Sequence, residues 1–317
     1  MNDFFVVVRG CNERTCYSLG RLLDQYVGIN HWKLVEATPF EETLRKCYRE
    51  GMQADRPYTV TIDADVLPAE RAFQNMVAEL DGQSDDVFEL HGQVLDKAFQ
   101  AYRQGGIRVY RTTYLKQLLE TVPLDGKEIR PEAYCVNQLM SQGLKTVRSS
   151  TIVGLHGYEQ NYMDLFRNGY VLAIKYNWLW KELESLWCKM ASGDPDFRML
   201  LLGAYTSQVN KNTSVLDKKT FPEEVDSLLA FLQCPEKPAL EIVSSKWIAD
   251  TLEGFEQPVE AHNIDRVRQA DYQTFPGQLG PLHTMWRHGL KSIPWFAGKT
   301  LEVVASKLKQ LSKVAPK

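Results

Sequence analysis

The sequence predicts an α/β protein with a mixed, mainly parallel sheet flanked by helices. The first observation is that short apolar runs alternate with segments of helical apolar spacing over residues 1–150. The second is the composition, because 44% hydrophobic and 24% charged residues are typical of a globular protein. The third is the length of 317 residues, which is sufficient for a large buried core. Such alternation indicates right-handed crossovers and strands that run mainly in one direction.

The predicted elements follow one another in a regular order. A short apolar run rich in β-branched residues, at residues 4–8, suits a strand buried on both faces, and further strands are predicted at residues 33–37 and 58–62. Each is followed by a predicted amphipathic helix, and these helices begin near Cys16, Pro39 and Pro68. Later strands are predicted at residues 87–90, 107–110 and 144–147. The segment 158–202 is aromatic-rich, and its spacing predicts helices whose aromatic side chains pack in a core.

The chain is predicted to divide near residue 160. Residues 1–160 form the predicted α/β core, and residues 161–317 form a mostly helical extension with a basic amphipathic end. The N-terminus lacks the basic flank and long apolar core of a signal peptide, and no apolar run approaches the roughly 20 residues of a membrane span. The six cysteines include no CxxC pair. We therefore expect a cytoplasmic protein with reduced thiols.

The net charge of −3 is unevenly distributed along the chain. Residues 281–317 carry seven basic residues and one acidic residue, which leaves a charge of −9 on residues 1–280. An acidic core without a basic stripe excludes DNA and RNA as expected partners. Within the basic end, apolar residues at helical spacing between residues 301 and 311 lie among lysines. Such a helix can either lie on anionic lipid, as a peripheral contact on the inner face of the membrane, or dock on the protein.

Two carboxylates stand at the end of the third predicted strand, in the segment Ile62-Asp63-Ala64-Asp65-Val66. Open α/β sheets bind ligands at the carboxyl ends of their strands. In extended backbone, Asp63 and Asp65 project to the same side, so both can face one ligand. Adjacent carboxylates repel each other unless a cation is present, and Mg²⁺ or Mn²⁺ favours oxygen ligands shared with substrate phosphates. A solvated turn before the next helix is the simpler interpretation of this short pattern.

The ends of the first three predicted strands, VVVRGCNE, KLVEATPF and TIDADVLP, together resemble those of GT-A glycosyltransferases, particularly the inverting enzymes of family 2. The resemblance covers residues 4–160 and implies a nucleotide-sugar donor with a divalent metal, Mn²⁺ or Mg²⁺. By position it implies that Arg9 and Glu13 flank the nucleotide, that Glu36 meets the base or ribose, and that Asp63 and Asp65 serve the metal and the sugar. Gly106, in the pair Gly105-Gly106, matches the glycines that open an acceptor-side strand in such enzymes.

The same resemblance suggests an acid and a histidine further along the chain. Counting back from Gly143, Glu132 takes the place of the family's second catalytic acid and is the predicted general base, while Pro131 replaces the first acid and Glu128 is an alternative base. His156 stands where these enzymes place a histidine that completes the metal site, with His91 as a weaker rival. Each also has a structural interpretation: a helix-capping carboxylate for Glu132 and a loop histidine for His156.

The predicted function is therefore metal-dependent transfer of a sugar from a nucleotide-sugar to a glycan or lipid-linked acceptor, with inversion, in synthesis of a bacterial surface polysaccharide. Two other classes stay open. One is a carbohydrate-binding or assembly protein that keeps the fold without turnover. The other is a sugar-nucleotide pyrophosphorylase, which requires a Gly-rich phosphate loop that the single glycine of VVVRGCNERT does not supply.

Overall fold

The computed structural model describes residues 3–128, 130–209, 226–227, 229–230, 235–240 and 243–274. Contacts divide these residues into two compact units. The first contains the residues up to Asn161 together with those between 226 and 256, and the second contains residues 162–209 and 257–274. That residues 1–160 hold the catalytic core stays a prediction.

The first unit is built on one sheet of seven strands within the described residues. In chain order the strands are β1 (Phe4–Gly10), β2 (Trp32–Glu36), β3 (Tyr58–Asp63), β4 (Val66–Pro68), β5 (Val87–Asp96), β6 (Ala101–Arg111) and β7 (Lys145–His156). Their spatial order is β2-β1-β3-β6-β5-β7-β4. Only β6 and β4 pair antiparallel to their neighbours, so five of these seven strands point in one direction. The predicted mixed, mainly parallel sheet is confirmed.

Helices cover both faces of this sheet because its strands are apolar on both sides. The helices of the first unit are α1 (Cys16–Tyr26), α2 (Phe40–Gln53), α3 (Ala72–Asp81), α4 (Leu115–Thr121), α5 (Pro131–Ser141) and α9 (Ser245–Glu253). In β1, Val6 and Val8 pack in one cluster with residues of α1 and α3, whereas Val7 packs on the opposite face against Cys47 of α2. This alternation is the two-residue period of a strand buried on both faces.

The structure differs from the predicted elements in three places. The helix expected from Pro68 begins at Ala72, because Pro68 ends the short strand β4 and pairs with Gly154 of β7. The later strands are longer than predicted, since β5 continues through Gly92 to Asp96. His156, interpreted as a loop residue, is instead the last residue of β7.

Helix α9 returns late in the sequence to complete the first unit. Ile248 is fully buried in a cluster with Leu22, Leu67 and Leu155, so α9 covers apolar side chains of the sheet and of α1. The Tyr26 hydroxyl lies 2.7 Å from Oγ of Ser245, which ties α1 to α9. The core of this unit is therefore assembled from two sequence segments, which residues 162–209 of the second unit separate along the chain.

The described residues of the second unit lie mostly in helices. It contains α6 (Tyr162–Lys175), α7 (Trp180–Met190), α8 (Pro195–Val209) and α10 (Val259–Thr274). A β-carbon on Gly169 would lie 2.0 Å from the carbonyl oxygen of Leu200, and one on Gly203 would lie 1.7 Å from that of Phe166. Helices α6 and α8 therefore pack with their backbones in contact. The buried Trp187 packs edge-on against Trp180, in agreement with a core role for the aromatic residues.

Residues 281–317, with the predicted lipid-binding or docking helix, lie outside the described residues. Among the helices that the structure does describe, none is both long enough and apolar enough to cross a membrane.

Candidate functional site

The candidate site lies where β1, β3, β5 and β7 end at the same edge of the sheet. Parallel pairing places Arg9 of β1 beside Asp63 of β3, and Asp96 of β5 beside His156 of β7. The hydrogen bond from the backbone N–H of Gly157 to the carbonyl of Asp65 (3.1 Å) links the chain after β3 to the end of β7. Strand register therefore brings together side chains that are far apart in the sequence.

Arg9 links the first predicted carboxylate to Glu132. Its Nε lies 2.8 Å from Oδ1 of Asp63, an ion pair without hydrogen-bond geometry, and its Nη1 donates to Oε1 of Glu132 at 2.5 Å. The Arg9 side chain is only 3% exposed. Its guanidinium is therefore committed to protein carboxylates, and the position of Arg9 beside a nucleotide stays a prediction.

Glu132, in the first turn of α5, is surrounded by hydrogen-bond donors and positive charge. Besides Arg9, it accepts from the Tyr110 hydroxyl at 2.9 Å and lies 3.1 Å from Nε of Arg108. Arg108 also pairs with the buried carboxylate of Glu89. Burial opposes ionisation of Glu132, but Arg9 and Arg108 outweigh it and lower the pKa of Glu132 to about 2.

Asp65 and His156 form the second pair of site residues. Nε2 of His156 lies 3.4 Å from Oδ1 of Asp65, and Nε2 of Gln160 donates to the other carboxylate oxygen at 2.7 Å. Burial disfavours the charged imidazole, yet Asp65 and Asp96 together raise the pKa of His156 well above its ordinary value. The structure thus gives each predicted carboxylate a protein cation, Arg9 for Asp63 and His156 for Asp65. Removal from water still raises the pKa of Asp63, a shift that Arg9 opposes and Asp65 reinforces.

Glu13 and Glu36 shape the loop after β1. The backbone N–H of Cys11 donates to Oε2 of Glu13 at 2.5 Å, and that of Asn12 donates to Oε1 of Glu36 at 3.1 Å. Asn12 has a φ of +65°, in the left-handed region, so the loop needs such anchors. The two carboxylates predicted to meet the nucleotide therefore hold the backbone that borders the site.

Gly106 lies directly beside the carboxylates. Its φ is +67°, and a β-carbon there would be 2.5 Å from Cγ2 of Val66, 3.4 Å from Cδ2 of His156 and 3.6 Å from Oδ2 of Asp63. A β-carbon at this position would collide with the Val66 side chain. Glycine therefore allows Val66 to pack closely against β6 beside these site residues.

The donor atoms fit a shared metal site only in part. Within the described ranges, no three His, Cys, Asp or Glu side chains are grouped so that they could hold an ion, because Asp63 faces Arg9. Asp65 and His156 present one oxygen and one nitrogen 3.4 Å apart. Adjacent ligands of an octahedral ion with bonds of about 2.1 Å are separated by about 3 Å, and Mg²⁺ commonly takes one or two protein ligands together with substrate phosphates. These two side chains therefore suit an ion that a diphosphate also binds.

Several residues of the site were missed from the sequence. Asp96, Arg108 and Gln160 contact predicted site residues, and Arg103 contacts Asp96. The available signal was Asp96, an acid at the end of a strand, but the strand predicted at residues 87–90 stops short of it. Of the rival residues, Glu128 is exposed, while burial and nearby Arg108 lower the pKa of His91 to about 2.

No family model matches the chain, and no curated protein is similar to it in sequence. Several solved structures are similar in fold. The mannosyltransferase PcManGT from Pyrobaculum calidifontis, in complex with GDP-Man and Mn²⁺, aligns with a TM-score of 0.39 and 13% identity over 87% of this chain and 88% of its own.

Two further structures align with about half of this chain. A cytidylyltransferase from Leptospira borgpetersenii has a TM-score of 0.35 and 10% identity over 47% of this chain and 76% of its own. A glycosyltransferase involved in glycosylation of the major capsid of PBCV-1 has a TM-score of 0.34 and 11% identity over 46% of this chain and 79% of its own. At these TM-scores and identities, none of the three similarities identifies an activity for this chain.

Proposed function

We propose that the chain is a glycosyltransferase that moves a sugar from a nucleotide-sugar donor to a glycan or lipid-linked acceptor. The observation that carries the proposal is the convergence of Asp65 and His156, whose oxygen and nitrogen lie 3.4 Å apart at the strand ends, beside Asp63 and Gly106. This is the edge at which open α/β sheets bind ligands. The resemblance of the strand ends to GT-A enzymes agrees with that placement.

In this proposal Asp65 and His156 hold a divalent ion, Mn²⁺ or Mg²⁺, with Asp63 next to them, and the ion replaces the proton on Nε2 of His156. When bound, such an ion neutralises charge on the departing diphosphate. The loop held by Glu13 and Glu36 borders the nucleotide, and Arg9 keeps Asp63 at the site through their ion pair. Glu132 is proposed as the base that takes the proton of the acceptor hydroxyl, as an inverting transfer requires. The acceptor belongs to bacterial surface polysaccharide synthesis in this proposal.

One observation favours a second candidate, a sugar-binding protein without turnover. Glu132 is bound by two arginines and a tyrosine, and its pKa of about 2 makes it a weak base. A panel of radiolabelled nucleotide sugars with Mn²⁺ separates the two candidates. Release or transfer of labelled sugar supports the enzyme, whereas saturable donor binding without either product supports the binding protein.

Replacing Asp65 with Asn tests the metal role. We expect Asp65→Asn to weaken binding of a nucleoside diphosphate in Mn²⁺ by at least about 10-fold, because removing one charge from the site lowers its affinity for the ion. Calorimetric titrations of both proteins with Mn²⁺ and with EDTA measure this effect. Asp85→Asn, at an exposed acid in the turn before β5, is the matched control. Equal affinities of wild type and Asp65→Asn under all conditions would contradict the metal role.

The proposal also includes contact of residues 281–317 with the inner face of the membrane. Because this segment carries six net positive charges, we expect the chain to sediment with anionic vesicles at low salt and to be released at high salt. A protein truncated before Lys299 should remain in the supernatant. Absence of vesicle binding by the full chain would favour the docked helix.

A further inference from the structure

Asp96 is a buried carboxylate that contacts His156 on the side opposite Asp65. Its side chain is 2% exposed, and one oxygen, Oδ2, lies 2.6 Å from Nδ1 of His156 and accepts from Nε of Arg103 at 2.7 Å. The other oxygen accepts from the backbone N–H of Phe99 at 3.2 Å. These contacts come from the end of β7, the turn after β5 and the start of β6.

These contacts determine which nitrogen of His156 faces the site. With Nδ1 against Asp96, the opposite nitrogen Nε2 points to Asp65. The parallel pairing of β5 and β7 places Asp96 and His156 at the same register position, so the backbone itself brings the two groups together. Rotating the ring by half a turn would leave the buried carboxylate of Asp96 without its imidazole partner, which is unfavourable for a buried charge.

Arg103 supplies the remaining charge that Asp96 needs. Its guanidinium packs over the Phe99 ring at 4.7 Å and crosses Gly105, where a β-carbon would lie only 2.7 Å from Nη1 of Arg103. The first glycine of the Gly105-Gly106 pair therefore leaves space for the Arg103–Asp96 contact. The paired glycines have separate roles, since Gly106 allows the close approach of Val66 instead.

We infer that Asp96, secured by Arg103 across Gly105, is a positioning residue that holds His156 with Nε2 directed at Asp65. The inference rests on the proposed function for the identity of the ligand, a divalent cation. Histidines that bind metals almost always donate their other ring N–H to a carboxylate, a carbonyl or water, and loss of that partner typically costs about 10- to 100-fold in metal affinity.

The test measures binding of Mn²⁺ alone to the full chain by electron paramagnetic resonance, which reports the free ion. We expect Asp96→Ala to weaken Mn²⁺ binding about 10- to 100-fold, and Asp96→Asn and Arg103→Gln to weaken it less. Gly105→Ala, which displaces the Arg103 guanidinium, should act in the same direction. Asp164→Asn is the matched control, because it removes another largely buried carboxylate that pairs with an arginine, Arg167, in the second unit.

A second measurement detects positioning without any metal. In the metal-free wild type, the Nδ1–H of His156 should give a downfield proton resonance, identified by its loss in His156→Gln. Asp96→Asn should shift this resonance, and Asp96→Ala should abolish it. If Asp96→Ala is partly unfolded, the Mn²⁺ titration uses Asp96→Asn alone.

The outcomes separate this inference from the proposed function. Wild-type Mn²⁺ affinity in both folded Asp96→Asn and Gly105→Ala, with an unchanged His156 resonance, would overturn the positioning role and leave sugar transfer standing. Loss of Mn²⁺ binding in the Asp96 variants, together with failure of wild type to use any nucleotide sugar, would support the inference and refute the proposed function. A wild type that binds no Mn²⁺ would overturn both this inference and the metal role.

Discussion

We expect Glu132→Gln to lower the rate of sugar transfer by about 10²- to 10⁴-fold, the range that a positioned general base contributes. Glutamine keeps the size of the side chain and removes its basic oxygen. If Glu132 is the base, the loss appears in kcat, while donor affinity stays within a few fold of wild type. Steady-state kinetics with a saturating donor measure both quantities. Glu128→Gln, an exposed acid before α5, is the control and should retain wild-type turnover.

The contacts of Glu132 define the competing outcome. Its carboxylate holds Arg9, which in turn pairs with Asp63, so an anchoring role predicts weaker donor binding together with lower stability. Because the pKa of Glu132 falls from 4.5 to about 2 in the folded protein, its ionised form contributes stability above pH 4.5 that is lost as the pH falls towards 2. Glu132→Gln should remove this part of the acid dependence in thermal unfolding. Loss of donor affinity with unchanged kcat would contradict the base assignment.

Stereochemistry gives an independent check on the base. A single displacement assisted by Glu132 inverts the anomeric centre, which NMR of the product reports directly. Retention would remove the proposed role of Glu132, and loss of turnover in Glu128→Gln alone would transfer that role to Glu128.

We expect Gly203→Ala to destabilise the protein by about 3 kcal/mol or more. The new methyl group would lie 1.7 Å from the carbonyl oxygen of Phe166, a backbone atom that cannot rotate aside as a flexible side chain can. Alanine favours a helix over glycine by roughly 1 kcal/mol. Gly203→Ala therefore lowers the free energy of unfolding only if the clash costs more than that gain. Denaturant unfolding followed by circular dichroism measures the difference.

Gly193→Ala is the matched control in the same unit. Nothing lies within 4 Å of a β-carbon at this turn position, so its effect should stay within about 0.5 kcal/mol. If Gly203→Ala proves as stable as Gly193→Ala, then α6 and α8 do not cross with their backbones in contact.

The sequence predicted those parts of the fold that depend on local periodicity. Strand β1 and the Asp63 strand end were predictable because alternating or continuous apolar residues are followed by polar ones. Strand β4 was missed because three residues, Val66–Pro68, give no periodic signal and form a strand only by pairing with β7. The irregular register between His91 and Gln93 interrupted the pattern of β5, so Asp96 could not be assigned to a strand end.

The site was predictable as a set of residue types but not as a set of contacts. Asp63 and Asp65 were predicted from their place at a strand end and His156 from the family resemblance, and the structure brings all three to one edge of the sheet. Arg9 is the partner of both Asp63 and Glu132, and it lies 123 residues before Glu132 in the sequence. Such pairs depend on strand register and helix placement. No short segment of the sequence reveals either of these.

The late return of α9 to the first unit has a consequence for synthesis on the ribosome. The sheet is complete once β7 has emerged, but Ile248 and its helix follow only after residues 162–242 have been made. At about 5–20 residues per second, the apolar side chains of Leu67, Leu95 and Leu155 wait roughly 4–20 s for their cover. During that interval the nascent chain exposes this apolar surface, and transiently exposed apolar surface is prone to aggregation.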